Sequence, residues 1–157
     1  MSEILSAGEG HLLTARGSVM AFKALGAQTG GDFSLMERTL PAGGRTPPAH
    51  RHTNCSEAFF VLDGTITFWI GDTEGTGDTG DTELNGGPGD FLLVPRGVGH
   101  TFGNRSQSPA RLLVLHAPAA DGYFEELHKL WAGELPPERE QERELMSRYG
   151  MEPAWPA

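Results

Sequence analysis

Residues 44–64 read Gly44-Arg-Thr-Pro-Pro-Ala-His50-Arg-His52-Thr-Asn-Cys-Ser-Glu57-Ala-Phe-Phe-Val-Leu-Asp63-Gly64. A Gly- and Pro-rich entry leads to two histidines, a carboxylate and an apolar run that stops at Asp-Gly. His50 and His52 lie two apart, so on an extended chain both imidazoles project from one face. Glu57 opens the apolar run, and imidazole together with carboxylate suits first-row transition metals. Glu57 to Leu62 reads as a strand. Asp63-Gly64 predicts a tight hairpin turn, with Thr65 to Ile70 as the returning strand.

On either side the chain keeps the same texture. Upstream, Leu12–Thr14, Val19–Leu25 and Phe33–Leu40 are short apolar-rich stretches separated by glycines. Downstream, Phe91–Val94, Gly99–Gly103 and Arg111–His116 complete a set of about seven to nine strands, the signature of a sandwich, jelly roll or barrel. Residues 71–89 read as a long exposed hairpin loop. Within it, Gly75-Thr-Gly77-Asp-Thr-Gly80 matches a dinucleotide-binding pattern literally. No helix pattern follows it, and Asp72, Asp78 and Asp81 would repel a pyrophosphate. Beyond residue 120 the character changes. Asp121 reads as the cap of a helix with Phe124, Leu127 and Trp131 on its apolar face and Gly133 as its stop. Pro136-Pro137 opens a second, highly charged helix ending near Tyr149-Gly150, in which Leu145, Met146 and Tyr149 are the apolar positions; a surface location is expected.

The 157 residues include 22 Gly and 11 Pro. So much turn chemistry excludes a helix bundle and favours an all-β domain, with a barrel over about 11–120 and a helical tail over 121–157. The formal net charge is −9, which argues against nucleic-acid and anionic-membrane partners. That charge has addresses. Residues 71–90 carry six acids and no Lys or Arg, the tail carries nine acids against four bases, and the remainder is close to neutral. The acidity therefore says nothing against an anionic small substrate. No signal peptide is visible in Met1–Leu25 and the single cysteine, Cys55, allows no intrachain disulfide. A cytoplasmic location is the expectation.

Gly44, His50, His52, Glu57 and Gly64, with their spacing, resemble the first signature of the cupin superfamily. Gly89, Pro95, Gly97, His100 and Asn104 resemble the second. The resemblance implies one cupin domain over residues 1–157, a double-stranded β-helix (jelly-roll barrel) with short C-terminal helices packed outside. It implies that His50, His52, Glu57 and His100 surround one divalent transition metal ion inside the barrel, be it Fe, Ni, Mn, Co or Zn. Phe59 and Val61 share the parity of Glu57, and Phe102 that of His100, so these three form an apolar substrate pocket beside the metal.

The ligand set resembles that of small bacterial quercetin 2,3-dioxygenase-like cupins. What this implies is a dioxygenase acting on a flavonol-like, enolisable aromatic or polyketide-type molecule. The substrate oxygen would bind the metal, Glu57 would serve as ligand and general base, and dioxygen would be the co-substrate. A non-redox metal-dependent cyclase, isomerase or lyase is the alternative, and a non-catalytic small-molecule-binding cupin the second. Dimerisation through the outer sheet is a common cupin trait, which makes Phe60 and Leu62 candidates for a homodimer surface.

The remaining reactive residues read as structural. His116 ends an apolar strand and reads as a polar strand end rather than a fifth ligand. His11 and His128 read as surface residues, and Cys55 as a loop residue rather than a ligand. Arg45, Arg51, Arg96 and Arg105 flank the motifs and would either meet an anionic substrate or simply be solvated.

Overall fold

The computed structural model describes residues 2–71 and 82–155. Most of the acidic loop, including the Gly-rich pattern at 75–80, lies outside the described residues. Among the described residues eleven strands, all paired antiparallel, form two sheets. One is six-stranded: β1 (His11–Ala15), β2 (Ser18–Ala24), β3 (Ser34–Leu40), β10 (Ala110–Ala117), β5 (Ser56–Asp63) and β8 (Phe91–Val94), in that order. The other is five-stranded: β11 (Met151–Pro153), β4 (His50–His52), β9 (His100–Gly103), β6 (Ile66–Ile70) and β7 (Thr82–Gly86). Among the described residues no helix is long and apolar enough to cross a membrane.

The period-2 alternation decides what faces the interior. On β5, Glu57, Phe59 and Val61 are buried while Phe60 is exposed, and on β10 Ala110, Leu112, Val114 and His116 are buried in alternation. Met20, Met36, Ile66, Phe68 and Phe102 complete the apolar interior from the other strands. The fold is the expected mostly-β jelly-roll barrel with two short helices, α1 (Asp121–Trp131) and α2 (Arg139–Arg148).

Four local expectations need correction. Asp63-Gly64 does not make a hairpin. β5 is flanked by β10 and β8, and β6 by β7 and β9, so the turn carries the chain from one sheet to the other. The Asp-Gly signal reports the left-handed residue, Gly64 at φ +76°, and not what the strands on each side pair with. The glycine is required there because a Cβ would lie 2.9 Å from backbone atoms of Pro109 and Ala110. Second, residues 71–89 are not all loop. β7 pairs with β6 from Ile66↔Gly86 to Ile70↔Thr82, and its near-complete exposure removed the apolar signal that marks a strand.

Third, Asp121 is the first residue of α1 and not its cap. Its Oδ1 accepts from the Gly26 N–H at 3.0 Å, tying the helix start to the loop after β2. Fourth, α2 is not merely a surface helix, since Glu142, Leu145 and Met146 are buried. The buried Arg16 Nε lies 3.3 Å from Glu142 Oε2 and an Arg16 Nη donates to the Tyr123 hydroxyl, so one guanidinium joins the β1–β2 turn to both helices. After α2, β11 completes the five-stranded sheet beside β4, with Met151↔His52 and Pro153↔His50.

Candidate metal centre

The two sheets meet around the histidines. β4 carries His50 and His52, β9 begins at His100, β5 carries Glu57 near its start, and β10 carries His116 near its end. His50 lies opposite His100 in one sheet, and His116 opposite Glu57 in the other. All five side chains are buried. Alternation along β4 sends Arg51 the other way, where its Nη2 donates to the Ala154 carbonyl.

The hydrogen bonds set the imidazole tautomers. His50 Nδ1–H donates to the Pro48 carbonyl at 2.8 Å and His100 Nδ1–H to the Val98 carbonyl at 3.1 Å, because a carbonyl can only accept. With its Nδ1–H so committed, a neutral His50 carries a lone pair on Nε2. His50 Nε2 is 3.3 Å from His52 Nε2. Glu57 Oε2 is 2.9 Å from His52 Nε2 and 2.7 Å from His100 Nε2. The nitrogen and oxygen donors of His50, His52, Glu57 and His100 all lie within 4.8 Å of one another.

Burial first, then the neighbouring His100 and His52, holds His50 well below the ordinary histidine value. Burial likewise lowers His52, against the pull of Glu57. For Glu57, burial works to raise the carboxyl, but His116, His52 and His100 outweigh it and keep it well below the usual carboxylate range. The result is a carboxylate held ionised beside buried imidazoles, with the donor atoms of four residues converging on one point. Electron pairs that face each other at 2.7 Å repel unless a proton or a cation lies between them. His52 adds a second sign, since its buried Nδ1 has no hydrogen-bond partner among the described residues. Three imidazoles and one carboxylate are the donor chemistry of Fe, Mn, Co, Ni or Zn, so these four residues could hold one such ion.

Beneath the cluster the interior is apolar. Phe59 packs against Phe68 and Phe102 at ring separations of 5.1 and 5.0 Å, and its ring centroid is 6.2 Å from that of His100. Phe59 and Val61 also line a cavity of about 210 Å³ that opens between β7 and β8. A different cavity, of about 200 Å³, reaches the cluster itself through His52. Its other walls include Cys55, Pro118, Tyr123, Tyr149 and Met151. The C-terminal tail thus shapes the approach to the donors, a role its composition did not signal.

The flanking arginines are occupied elsewhere. Arg45 lies over the Trp131 ring, Arg105 pairs with Glu83 at 3.0 Å, and Arg96 is exposed. The arginine inside the barrel is Arg38, which sequence reasoning missed. Its guanidinium lies 5.3 Å from the Phe102 ring centroid and its Nε donates to Ser18 Oγ at 3.1 Å. Burial first, then Arg16, lowers it to about 10, which still leaves a cation at neutral pH. The available signal was parity, because Arg38 continues the row of Ser34, Met36 and Leu40.

Cys55 is buried and stands outside the donor group, while His11 and His128 are partly exposed and bind Glu125 and Thr14. His116 is neither a solvated strand end nor one of the four converging donors. It is buried, with Nε2 3.1 Å from Glu57 Oε1. Its parity with Leu112 and Val114 pointed inward, but its partner depended on strand register.

Comparison with known proteins agrees with this architecture. The family model described as a cupin domain matches residues 36–116, just over half of the chain. The chain is 28% identical over 134 residues to quercetin 2,3-dioxygenase of Bacillus subtilis (strain 168). The match covers 85% of this chain but only 37% of that protein. Among solved structures it resembles the polyketide cyclase RemF from Streptomyces resistomycificus, at 20% identity and a TM-score of 0.60. That match covers 74% of this chain and 80% of the other. A predicted oxalate decarboxylase from Thermotoga maritima is similar at 16% identity and a TM-score of 0.59, over 74% of this chain and 99% of the other. At such identities the two structures share a fold with this chain and nothing finer.

Proposed function

The chain belongs to the cupin domain family, and from that premise we propose that it is a metal-dependent dioxygenase. Its substrate would be a flavonol-like, enolisable aromatic or polyketide-type molecule, held where the tail cavity meets the histidine cluster. One observation carries the reading: four buried donors, His50, His52, Glu57 and His100, converge within 4.8 Å beside a cavity that reaches His52. The Bacillus relative supports the choice of reaction and substrate class.

A redox-active divalent metal in this site supplies Lewis acidity toward a substrate oxygen and a route for dioxygen chemistry. His50, His52 and His100 supply neutral nitrogen donors whose orientation is set from behind, for His50 and His100, by backbone carbonyls. Glu57 is held ionised, ready to take the proton of an enolic or phenolic hydroxyl. Its low basicity means that the hydroxyl must be acidified at the same moment. Phe59, Val61 and Phe102 exclude water beneath the donors, which strengthens every charge interaction above them. The flat apolar substrate class suits the tail cavity, whose walls include Tyr123, Tyr149 and Met151.

A homodimer is part of the same reading. Phe60 faces Phe91 in register on the outer side of β5 and β8, Ala58 faces Leu93, and Leu62 continues the β5 row. Exposed apolar rows of this kind mark association surfaces, and light scattering reads the mass directly.

Metal analysis of untagged protein, followed by oxygen uptake on a panel of flavonols, tests the function. Stoichiometric iron, nickel, cobalt or manganese with oxygen consumption is the expected result. Zinc alone, with turnover but no oxygen uptake, would move the reading to a non-redox cyclase, isomerase or lyase, because zinc is redox inert. Metal-free protein that stays metal-free on reconstitution, yet binds a small molecule, would leave a binding module.

A further inference from the structure

His116 and Glu57 occupy facing positions in the β10–β5 ladder, and their side chains meet inside the barrel. The two carboxylate oxygens of Glu57 keep different company. Oε2 lies 2.9 Å from His52 Nε2 and 2.7 Å from His100 Nε2, whereas Oε1 lies 3.1 Å from His116 Nε2. The last contact is an ion-pair approach, and because a carboxylate only accepts, a proton shared across it belongs to His116 Nε2. His116 thus turns its Nε2 toward Glu57, whereas His50 and His100 commit their Nδ1–H groups to carbonyls. Phe124 of α1 packs against that ring, with centroids 5.4 Å apart, and fixes its plane.

We propose that His116 is a positioning residue, which ties down Oε1 of Glu57 and so presents the carboxylate to a metal ion through Oε2 alone. The inference rests on the reading of His50, His52, Glu57 and His100 as metal ligands. An untethered glutamate can chelate through both oxygens or swing out of the cluster. With Oε1 held, Glu57 takes one position on the ion and leaves another free for substrate. Partners in this outer layer orient ligands and tune affinity.

Cobalt(II) reconstitution tests the role without recourse to turnover. Wild type, His116→Leu, His116→Gln and His116→Asn are titrated with Co(II), with the bound metal counted and its visible absorption spectrum recorded. His116→Leu keeps bulk but has no donor. Its Co(II) affinity is expected to fall about tenfold to a hundredfold, with a changed ligand-field spectrum. His116→Gln, whose amide N–H can reach Oε1, is expected to restore most of both, and the shorter His116→Asn is not.

A His116→Leu spectrum and affinity equal to those of wild type overturn the positioning role and leave the metal site intact. Loss in Leu with no recovery in Gln also overturns it, because the effect is then one of packing. If the Leu variant does not fold, the Gln and Asn pair decides: recovery in Gln alone sustains the role, and equal behaviour of the two ends it. Wild-type protein that takes up no Co(II) overturns the metal reading, and this inference with it.

Discussion

Two levels of a single strand pair show how sharply this interior changes. Between β5 and β10, His116 faces Glu57. Further along the ladder, Val114 faces Phe59 and Leu112 faces Val61. All six residues are buried, yet the first pair is polar and the other two are hydrocarbon. The apolar pairs are stabilised by removal from water, roughly 1.5–3 kcal/mol for each large side chain. The polar pair would be costly by itself, since a buried carboxylate needs compensating partners. It is tolerated because the strands end there. Neighbouring segments bring His52 and His100 to Glu57, and the carbonyls of Pro48 and Val98 to the backs of two imidazoles. The apolar level below makes any loss of those partners expensive. Thus one level holds the barrel together and the other gathers the donors that could hold a metal.

The two levels can be broken separately. His100→Ala removes a donor from the polar level, and the expected outcome is loss of all stoichiometric metal, measured by elemental analysis after reconstitution, with the barrel still folded by circular dichroism. Full metal occupancy in that variant would remove His100 from the donor set. Phe59→Ala attacks the apolar level. It should cost about 3–5 kcal/mol in denaturant unfolding while the folded protein keeps its metal stoichiometry. Metal lost with stability unchanged would invert the assignment of roles.

Cys55 sharpens the boundary between the levels with the smallest effect of the three. Burial first, and Glu57 second, push its thiol up to about 12 from an ordinary 9.0. At pH 8 its alkylation by iodoacetamide should be about a thousandfold slower than in the urea-unfolded chain, since the thiolate is the reactive form. The sign for stability follows from linkage. Above about pH 9 the folded state retains a proton that the unfolded state releases, so stability is full below that pH and falls as pH rises from there toward 12. An alkylation rate equal to that of the unfolded chain would mean that water reaches the cluster from this side.

His50, His52 and Glu57 stand at short spacings on extended chain, while His100 entered the group through the resemblance to the second cupin signature. Phe59, Val61 and Phe102 were legible as interior residues by parity with those donors. The errors concern what those spacings leave open. Asp63-Gly64 carries a local turn signal that is correct about backbone conformation and wrong about pairing, because the flanks of β5 are taken by β10 and β8. β7 was hidden by its polarity: an exposed edge strand needs hydrogen bonds from β6, not apolar residues. Three further features join positions distant in sequence: His116 beside Glu57, Arg16 beside Glu142, and β11 completing the sheet at β4.

The sequence by itself therefore determined the class of fold and the turn chemistry, and through two short motifs that resemble those of a known family it pointed to the donors that converge. Only the tertiary structure decided which strands pair, which carboxylate oxygen meets which imidazole, and that the tail walls the approach to His52. Those depend on register between strands. A shift of one residue there would turn His116 to the outer face and leave Glu57 with one partner fewer.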